Sequence, residues 1–228
     1  MLKPIGVGLG VVAIAILVSV GASAHRPSAI GGTFDGPTKA VRVTGPSVSQ
    51  VVYGDVSIAH PSLWVAVAVA AATDLYVQLG VPALERLRMF RPQMAIVGPG
   101  LPSLALPFEV PTGMGASLVV TSSVADGAFF HEPFTNTDSR ILAESTVRLP
   151  TAGAYYVVVW SSAIMDGKAW VAVGQREMFG WKDIVTLPKT INAVRAFHEV
   201  GPDSRLITAG KILFLAAVAL AIAGLVHL

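Results

Sequence analysis

The stretch RLPTAGAYYVVVWSSAIMDGKAWVAVG, residues Arg148–Gly174, decides the predicted fold class of this chain. Two segments within it, 155–160 and 169–173, are rich in the β-branched and aromatic residues that are enriched in strands. The dipeptide Asp166-Gly167 between them is typical of a turn, so the stretch predicts a β-hairpin. The first segment is apolar on both faces, which predicts a central strand in the core.

Further strand-like segments lie on both sides of this stretch, separated by glycine and proline. Alternating or β-branched patterns predict strands at residues 41–43, 51–53, 63–70, 75–79, 94–97, 118–120 and 141–149. We expect a single helical turn within 82–91, a long loop at 125–137 and a short amphipathic helix at 190–197. Many short strands without a long soluble helix predict an all-β fold, namely an antiparallel, jelly-roll-like β-sandwich.

The composition limits the classes of function. The chain has 228 residues, of which 53% are hydrophobic and 13% charged, about half the charged fraction of an ordinary soluble domain. The net charge is +2 and the isoelectric point is about 9.0, but no run of Lys and Arg interleaves with aromatic residues, so we expect no nucleic-acid partner. The absence of cysteine excludes disulfides, thiolate metal sites and cysteine nucleophiles.

Residues 1–24 have the pattern of a secretory signal peptide. Lys3 precedes an apolar run at 5–20, and Ala22-Ser23-Ala24 is a small-residue cleavage pattern. The alternative is an uncleaved anchor helix, because the neighbouring small residues extend the apolar run toward the length that a membrane span needs.

The other end of the chain predicts a transmembrane helix at 206–228. Residues 212–228 are apolar except for His227, and the alternative is a buried core helix. Arg205 and Lys211 flank the entry to this helix and favour a cytoplasmic domain by the positive-inside rule, whereas the signal peptide favours the opposite side, and a cleavable signal overrides two charges. We therefore expect a single-pass protein of the cell membrane, with an irregular lead-in at 25–50, a β-sandwich ectodomain at 51–200 on the extracytoplasmic side and a hinge at 201–205.

Two Phe-His-Glu triplets, at 130–132 and 197–199, are the first candidates for chemistry. A paired imidazole and carboxylate can bind zinc or copper, or act as acid and base, if the fold brings the triplets together. The alternative is that each His bonds a loop carbonyl while each Glu faces solvent. His60, before Pro61, is a weaker candidate of the same kind.

His25 is a further candidate, because cleavage after Ala24 makes it the mature N-terminus. An N-terminal amine and an imidazole together can chelate copper. The predicted metal set is therefore His25, His131, Glu132 and His198, with copper or zinc as the alternative to having no cofactor.

Other catalytic patterns are absent from the sequence. It has no Gly-x-Ser-x-Gly elbow, no glycine-rich phosphate loop that opens a helix and no Asp-rich calcium loop. A hydrolase is therefore the third choice of function. Aromatic residues of the 148–174 stretch and of 179–181 suit a sugar-stacking platform, but on buried strands such residues more often belong to the core.

The pattern Leu-Pro-x-x-Gly-x-Tyr-Tyr-Val-Val at 149–158, followed by Gly-Lys-Ala-Trp-Val-Ala-Val-Gly at 167–174, resembles the end of bacterial pre-peptidase C-terminal domains. Those β-sandwiches are typically secreted, non-catalytic appendages that bind surfaces or assist a neighbouring domain. Their Asp-rich strand motif is absent here, where Met94–Leu101 takes a comparable place. The wider pattern, with the segments 98–101, 131–134 and 179–181, looks like that of membrane-anchored bacterial proteins without an assigned activity.

The sequence thus predicts a non-enzymatic, membrane-anchored, extracytoplasmic β-sandwich that binds a partner protein or a membrane complex. The alternative is an exported protein that binds copper or zinc through its histidines. Working surfaces more often lie on loops than on packed strands, which points to residues 85–91, 129–137 and 179–183.

Overall fold

The computed structural model describes residues 26–120, 127–162, 165–176, 178 and 181–203, with side chains from 186 onward in the last range. The predicted signal peptide, His25 and the predicted transmembrane helix lie outside the described residues. None of the helices in these ranges is long and apolar enough to cross a lipid bilayer.

Eleven strands of the described residues form two sheets that are arranged as a sandwich. The six-stranded sheet has the order β1-β3-β11-β5-β9-β8 and the five-stranded sheet the order β2-β4-β10-β6-β7. All neighbours are antiparallel except β1 with β3 and β2 with β4. The predicted β-sandwich is confirmed in its coarse form: the described residues are mostly β, in two sheets, with one α-helix and two parallel pairs at the sheet edges. The strands are β1 Arg26–Ile30, β2 Val41–Val43, β3 Gln50–Val56, β4 Ser62–Val69, β5 Thr73–Pro82, β6 Gln93–Gly98, β7 Gly115–Val119, β8 Ala128–Glu132, β9 Thr137–Leu149, β10 Gly153–Trp160 and β11 Gly167–Val173.

Several connections cross from one sheet to the other at the same end of the sandwich. The registers Val56↔Gly167 and Trp160↔Gln93 place the β3–β4, β10–β11 and β5–β6 connections together, and Val119 pairs with Met94 beside them. We call this region the loop end, and among the described residues it comprises 57–61, 83–92, 120, 161–162 and 165–166. The described residues 44–49, 70–72, 174–176 and 178 lie at the opposite end.

The predicted hairpin is wrong, although both of its strands exist. β10 lies between β4 and β6, whereas β11 lies between β3 and β5 in the other sheet. Both strands are buried on two faces because each is central in its own sheet: Val157 and Val159 pack in the core between the sheets, and Val158 packs on the outer face. A side chain at Gly167 would overlap the ring of Phe90, so this glycine allows close packing at the start of β11.

Three other segments differ from the sequence prediction. The lead-in at 25–50, predicted to be irregular with at most one strand at 41–43, contributes β1 as well as β2, and both lie at sheet edges. The predicted loop at 125–137 contains β8, which pairs with β9. The helix predicted at 190–197 is longer: α1 covers Trp181–Phe197 and contains Pro188. The expected helical turn is present as a 3₁₀ turn at Glu85–Leu87.

Segments of the chain pack on both outer faces of the sandwich. On the six-stranded sheet, Val194 and Phe197 of α1 pack against a cluster that includes Tyr53 and Trp170. On the five-stranded sheet, apolar residues between 104 and 114 pack against Trp64 and its neighbours. The ring of Phe108 in this segment lies 5.2 Å from that of Trp64. Apolar surface is therefore buried in three layers.

A buried tyrosine explains the Pro-x-x-Gly-x-Tyr pattern. The Tyr155 side chain is fully buried, and its hydroxyl lies 2.9 Å from the carbonyl oxygen of Pro99 and 3.0 Å from that of Thr151. A side chain at Gly98 would overlap the Tyr155 ring, and Gly153 has a φ of 155° in close contact with Pro99. The pattern thus fixes the corner where β10 begins against the end of β6.

Candidate functional site

Two small cavities lie on the outer face of the six-stranded sheet, near α1 and the β8–β9 hairpin. The larger, about 80 Å³, is lined by residues of α1, β1 and the hairpin, including Tyr53, Glu132 and Thr190. The smaller, about 20 Å³, is lined by Tyr53 and Glu132 together with Ser139, Trp170 and His198. Both volumes are well below the roughly 300–1,000 Å³ of typical small-molecule sites.

A chain of hydrogen bonds crosses the floor of the smaller cavity. Trp170 Nε1–H donates to Ser139 Oγ over 3.1 Å, and Ser139 Oγ lies 3.1 Å from His198 Nε2. His198 Nδ1 lies 2.9 Å from the carbonyl oxygen of Val194. One assignment satisfies every group: a neutral His198 with its proton on Nδ1 donates to Val194, and its Nε2 accepts the Ser139 hydroxyl proton. Burial lowers the pKa of His198, although the hydrogen bond to Val194 raises it, which agrees with a neutral ring.

This Ser-His pair lacks the setting of a catalytic dyad. Both side chains are buried, and the group that orients His198 is the Val194 carbonyl, whereas the Ser-His-Asp arrangement uses a carboxylate. The Ser139 hydroxyl also accepts the Trp170 N–H. The arrangement ties three elements of the fold together: β9, β11 and α1.

The first Phe-His-Glu triplet is split between two directions because β8 is a strand. Successive side chains of a strand point to opposite faces. His131 Nδ1 therefore lies 2.7 Å from Asp138 Oδ1, with both side chains about half exposed, whereas Glu132 lines both cavities. Burial raises the pKa of Tyr53, and the nearby Glu132 carboxylate raises it further.

The second triplet fixes the end of α1. Glu199 has a positive φ of 58°, and its carboxylate bonds Arg86 of the 3₁₀ turn and lies 3.0 Å from Lys168 Nζ. The hydrogen bonds from Arg86 and then from Lys168 lower the pKa of Glu199 to about 2. Lys168 Nζ also donates to the carbonyl oxygen of Phe197 over 2.9 Å. The β5–β6 connection, through Arg86, and β11, through Lys168, thus hold the C-terminus of the helix.

The described members of the predicted metal set do not form a coordination site. Both ring nitrogens of His198 lie within hydrogen-bond distance of other groups, and His131 pairs with Asp138 on the other face of β8. Across the described ranges, no three His, Asp or Glu side chains are grouped as a metal ion requires. His60 lies 3.9 Å from one carboxylate, that of Asp35. The copper prediction for His25 concerns a residue outside the described ranges.

Sequence reasoning missed Ser139, Trp170 as a hydrogen-bond donor, and Arg195. Ser139 lies 59 positions before its partner His198, so no local pattern signals the contact. The Arg195 guanidinium donates to the carbonyl oxygens of Thr135 at 2.8 Å and Gly201 at 2.6 Å. The available signal was the position of Arg195, four residues after Ile191 on the apolar face of the predicted helix, because a charge on such a face requires partners.

The three segments that the sequence predicts as the working surface lie in different parts of the structure. Residues 85–91 lie at the loop end, 129–137 contain β8 and its hairpin, and the side chains of 179–183 lie outside the described residues. Exposed large apolar side chains occur at the first two: Met89 in the β5–β6 connection and Phe129 in β8.

Comparisons with known proteins add little to this description. No protein-family model matches the chain, and no curated protein matches it. Among solved structures, the pre-peptidase C-terminal domain of a collagenase from Bacillus anthracis is similar over 66% of this chain and 96% of that domain, with 10% identity and a TM-score of 0.32. A similarity at this TM-score carries no argument about function. The fold itself defines the class: a mostly β protein with two sheets arranged as a sandwich and one α-helix in its described part.

Proposed function

We propose that this chain is a non-enzymatic, membrane-anchored, extracytoplasmic β-sandwich of jelly-roll type that binds a partner protein. The strand order supports the jelly-roll assignment. From β3 to β6 and again from β9 to β11, consecutive strands alternate between the two sheets, as expected when two Greek keys fold over each other. The apolar sequence at 206–228 supports the membrane anchor.

The edge strand β8 is the observation that carries partner binding. Among the strands of the described residues, β8 is the last in its sheet, with β9 on one side, and the side chain of Phe129 within it is 69% exposed. An edge strand presents a row of unpaired N–H and C=O groups to which an extended segment of a partner can add. β7, the last strand of the other sheet, carries the exposed Leu118. We therefore propose that an apolar, extended segment of the partner pairs along β8.

The cavities support the non-enzymatic assignment. Their volumes are small, and the Ser139 hydroxyl is engaged with both Trp170 and His198. In contrast, the β8 edge requires no pocket, because main-chain hydrogen bonds supply the affinity and alternate side chains supply the specificity.

Crosslinking from a position in β8 tests this proposal. A photo-crosslinking amino acid replaces Phe129 in the full chain, which is then irradiated in native membranes. Met178 is the matched control, because its side chain is 51% exposed and it follows β11 at the opposite end. We expect a protein adduct from position 129 and none from position 178. In the same membranes, Phe129→Lys should lower the recovered partner while the melting temperature stays unchanged.

Two results would contradict the proposal. The first is that the full chain migrates alone after solubilisation and that neither position gives an adduct. The second is that both positions give the same adducts, since this would mean non-specific contact. Stoichiometric copper or zinc in the purified chain would instead favour the metal-binding alternative.

A further inference from the structure

The loop end exposes large apolar side chains on successive connections between the two sheets. Ile58 in the β3–β4 connection is 67% exposed, Met89 in the β5–β6 connection 77%, and Val120 directly after β7 85%. Single exposed apolar residues are normal at a protein surface. Here three exposed apolar residues lie on neighbouring loops at one end of the sandwich. Grouped exposed apolar residues usually mark a surface that interacts with an apolar partner.

Basic side chains flank Met89. The β5–β6 connection contains three arginines and one glutamate, which gives it a net charge of +2. Arg88, whose side chain is 55% exposed, precedes Met89, and Arg91 Nη1 donates to the carbonyl oxygen of Arg88 over 2.6 Å. Long arginine side chains beside an apolar tip suit the lipid–water boundary, where the stem lies against apolar groups and the guanidinium binds phosphate.

The chain leaves the described part close to this same end. α1 runs toward the loop end, and Glu199 after it bonds Arg86 of the β5–β6 connection. Residues 201–203 then fold back along the helix, where Asp203 N–H donates to Asn192 Oδ1 over 3.2 Å. The predicted membrane helix begins at Leu206, and three residues of extended chain span at most about 11 Å. The predicted membrane helix therefore begins within about 11 Å of Asp203, near the C-terminal half of α1, and the end of α1 contacts the loop end through Glu199 and Arg86.

We propose that the loop end docks on a lipid surface that contains anionic headgroups. This inference rests on the proposed membrane anchor. Ile58, Met89 and Val120 enter the boundary between headgroups and acyl chains, and Arg88 and Arg91 bind the lipid phosphates. The strands of the sandwich run away from this end, so docking leaves the lateral edge formed by β8 open to a partner protein.

The absence of native cysteine allows a direct test with single-cysteine variants of the full chain. Met89→Cys carries an environment-sensitive fluorophore, and Met178→Cys, at the opposite end, is the matched control. Each protein is reconstituted in vesicles of phosphatidylcholine with and without phosphatidylglycerol. A lipid that carries a covalently attached quencher is then added to the vesicles. In vesicles with phosphatidylglycerol we expect the probe at position 89 to shift its emission to shorter wavelength and to lose most of its fluorescence. The probe at position 178 should show neither change.

The outcomes separate this inference from the proposed function. If the full chain does not float with the vesicles, the membrane anchor itself is wrong. If the chain floats but the probe at position 89 is no more quenched than the probe at position 178, the anchor stands and lipid docking is wrong. Crosslinking of position 89 to a protein without lipid quenching overturns the proposal in favour of a protein partner.

A double substitution tests the contribution of the two arginine charges. Arg88→Gln combined with Arg91→Gln should reduce quenching at position 89 in vesicles with phosphatidylglycerol and leave it unchanged in pure phosphatidylcholine. Equal quenching of the parent and the double variant in both lipids would overturn the role of the anionic headgroups.

Discussion

Removing one hydroxyl group tests the corner that joins β6 to β10. Tyr155→Phe keeps the buried ring in its place over Gly98 but deletes the oxygen that lies 2.9 Å from the Pro99 carbonyl and 3.0 Å from the Thr151 carbonyl. The same oxygen accepts the N–H of Thr151 over 3.3 Å. We expect the variant to fold to the same structure with a lower free energy of unfolding.

The magnitude follows from the groups that lose their partner. A hydroxyl has one proton, so Tyr155 donates fully to one of the two carbonyls at a time and accepts one N–H. Leaving a buried donor or acceptor without a partner costs about 1–3 kcal/mol. Because the loop of Thr151 is partly exposed and water can replace one bond, we expect a loss near the lower half of that range, about 1–2 kcal/mol. For a chain of this size, each kcal/mol lowers the melting temperature by roughly 2–4 °C.

Urea unfolding of the full chain in mild detergent, followed by tryptophan fluorescence, measures this loss. Tyr156→Phe is the matched control: Tyr156 is adjacent, half-buried and packed on Trp64 at 5.4 Å, and its hydroxyl has no hydrogen bond among the described residues. The control should change the free energy of unfolding by less than about 0.5 kcal/mol. Equal effects of the two substitutions would refute the reasoning that the Tyr155 hydroxyl holds the corner.

Three further predictions concern the polar contacts of α1. Ser139→Ala should lower the free energy of unfolding by about 1–3 kcal/mol, because the Trp170 N–H and His198 Nε2 both lose their partner; an unchanged urea midpoint would contradict this. Burial lowers the pKa of His198, so as the pH decreases the unfolded chain binds the proton before the folded chain does. The free energy of unfolding should therefore fall as the pH decreases below about 6.5. Melting curves of His198→Gln should show a weaker dependence on pH. The pKa of Glu199 is lowered to about 2 from 4.5, so its bond to Arg86 stabilises the fold above pH 4.5 and this contribution is lost as the pH falls toward 2. Glu199→Gln should flatten that acid limb, and added salt should reduce the difference, since the ion pair is partly exposed.

Most strands could be predicted from the sequence, with the exception of β1 and β8, but the partners of the strands could not. Val157, Val158 and Val159 are buried, and a run that is apolar on both faces correctly predicts a central strand. The same pattern occurs in β11, and two central strands joined by a short connection fit a hairpin and a crossing between sheets equally well. The Asp166-Gly167 signal favoured the hairpin. Position 167 requires glycine for another reason: a larger side chain there would overlap the ring of Phe90, which is remote in sequence.

The candidate site shows the same limit. The sequence singles out both Phe-His-Glu triplets as candidates, and the fold brings Glu132 and His198 to the walls of one cavity. The sequence does not predict which atoms these side chains contact. His131 points away because β8 is a strand and not a loop, and His198 is engaged by Ser139 and Val194. Burial and long-range hydrogen bonds decide between a ligand and a structural histidine, and neither can be read from spacing.

The contacts at the end of α1 connect the two proposals. Residues 201–203 belong to a segment that the sequence predicts as a hinge, yet the Gly201 carbonyl accepts from Arg195 and Asp203 N–H donates to Asn192. Glu199 joins the same tail to Arg86 and Lys168. A freely jointed tail would let the sandwich rotate over the membrane and present every side in turn. Under the two proposals, a tail that is bonded at several points up to Asp203 would restrict how the sandwich turns over the membrane, and therefore the orientation in which the β8 edge meets its partner.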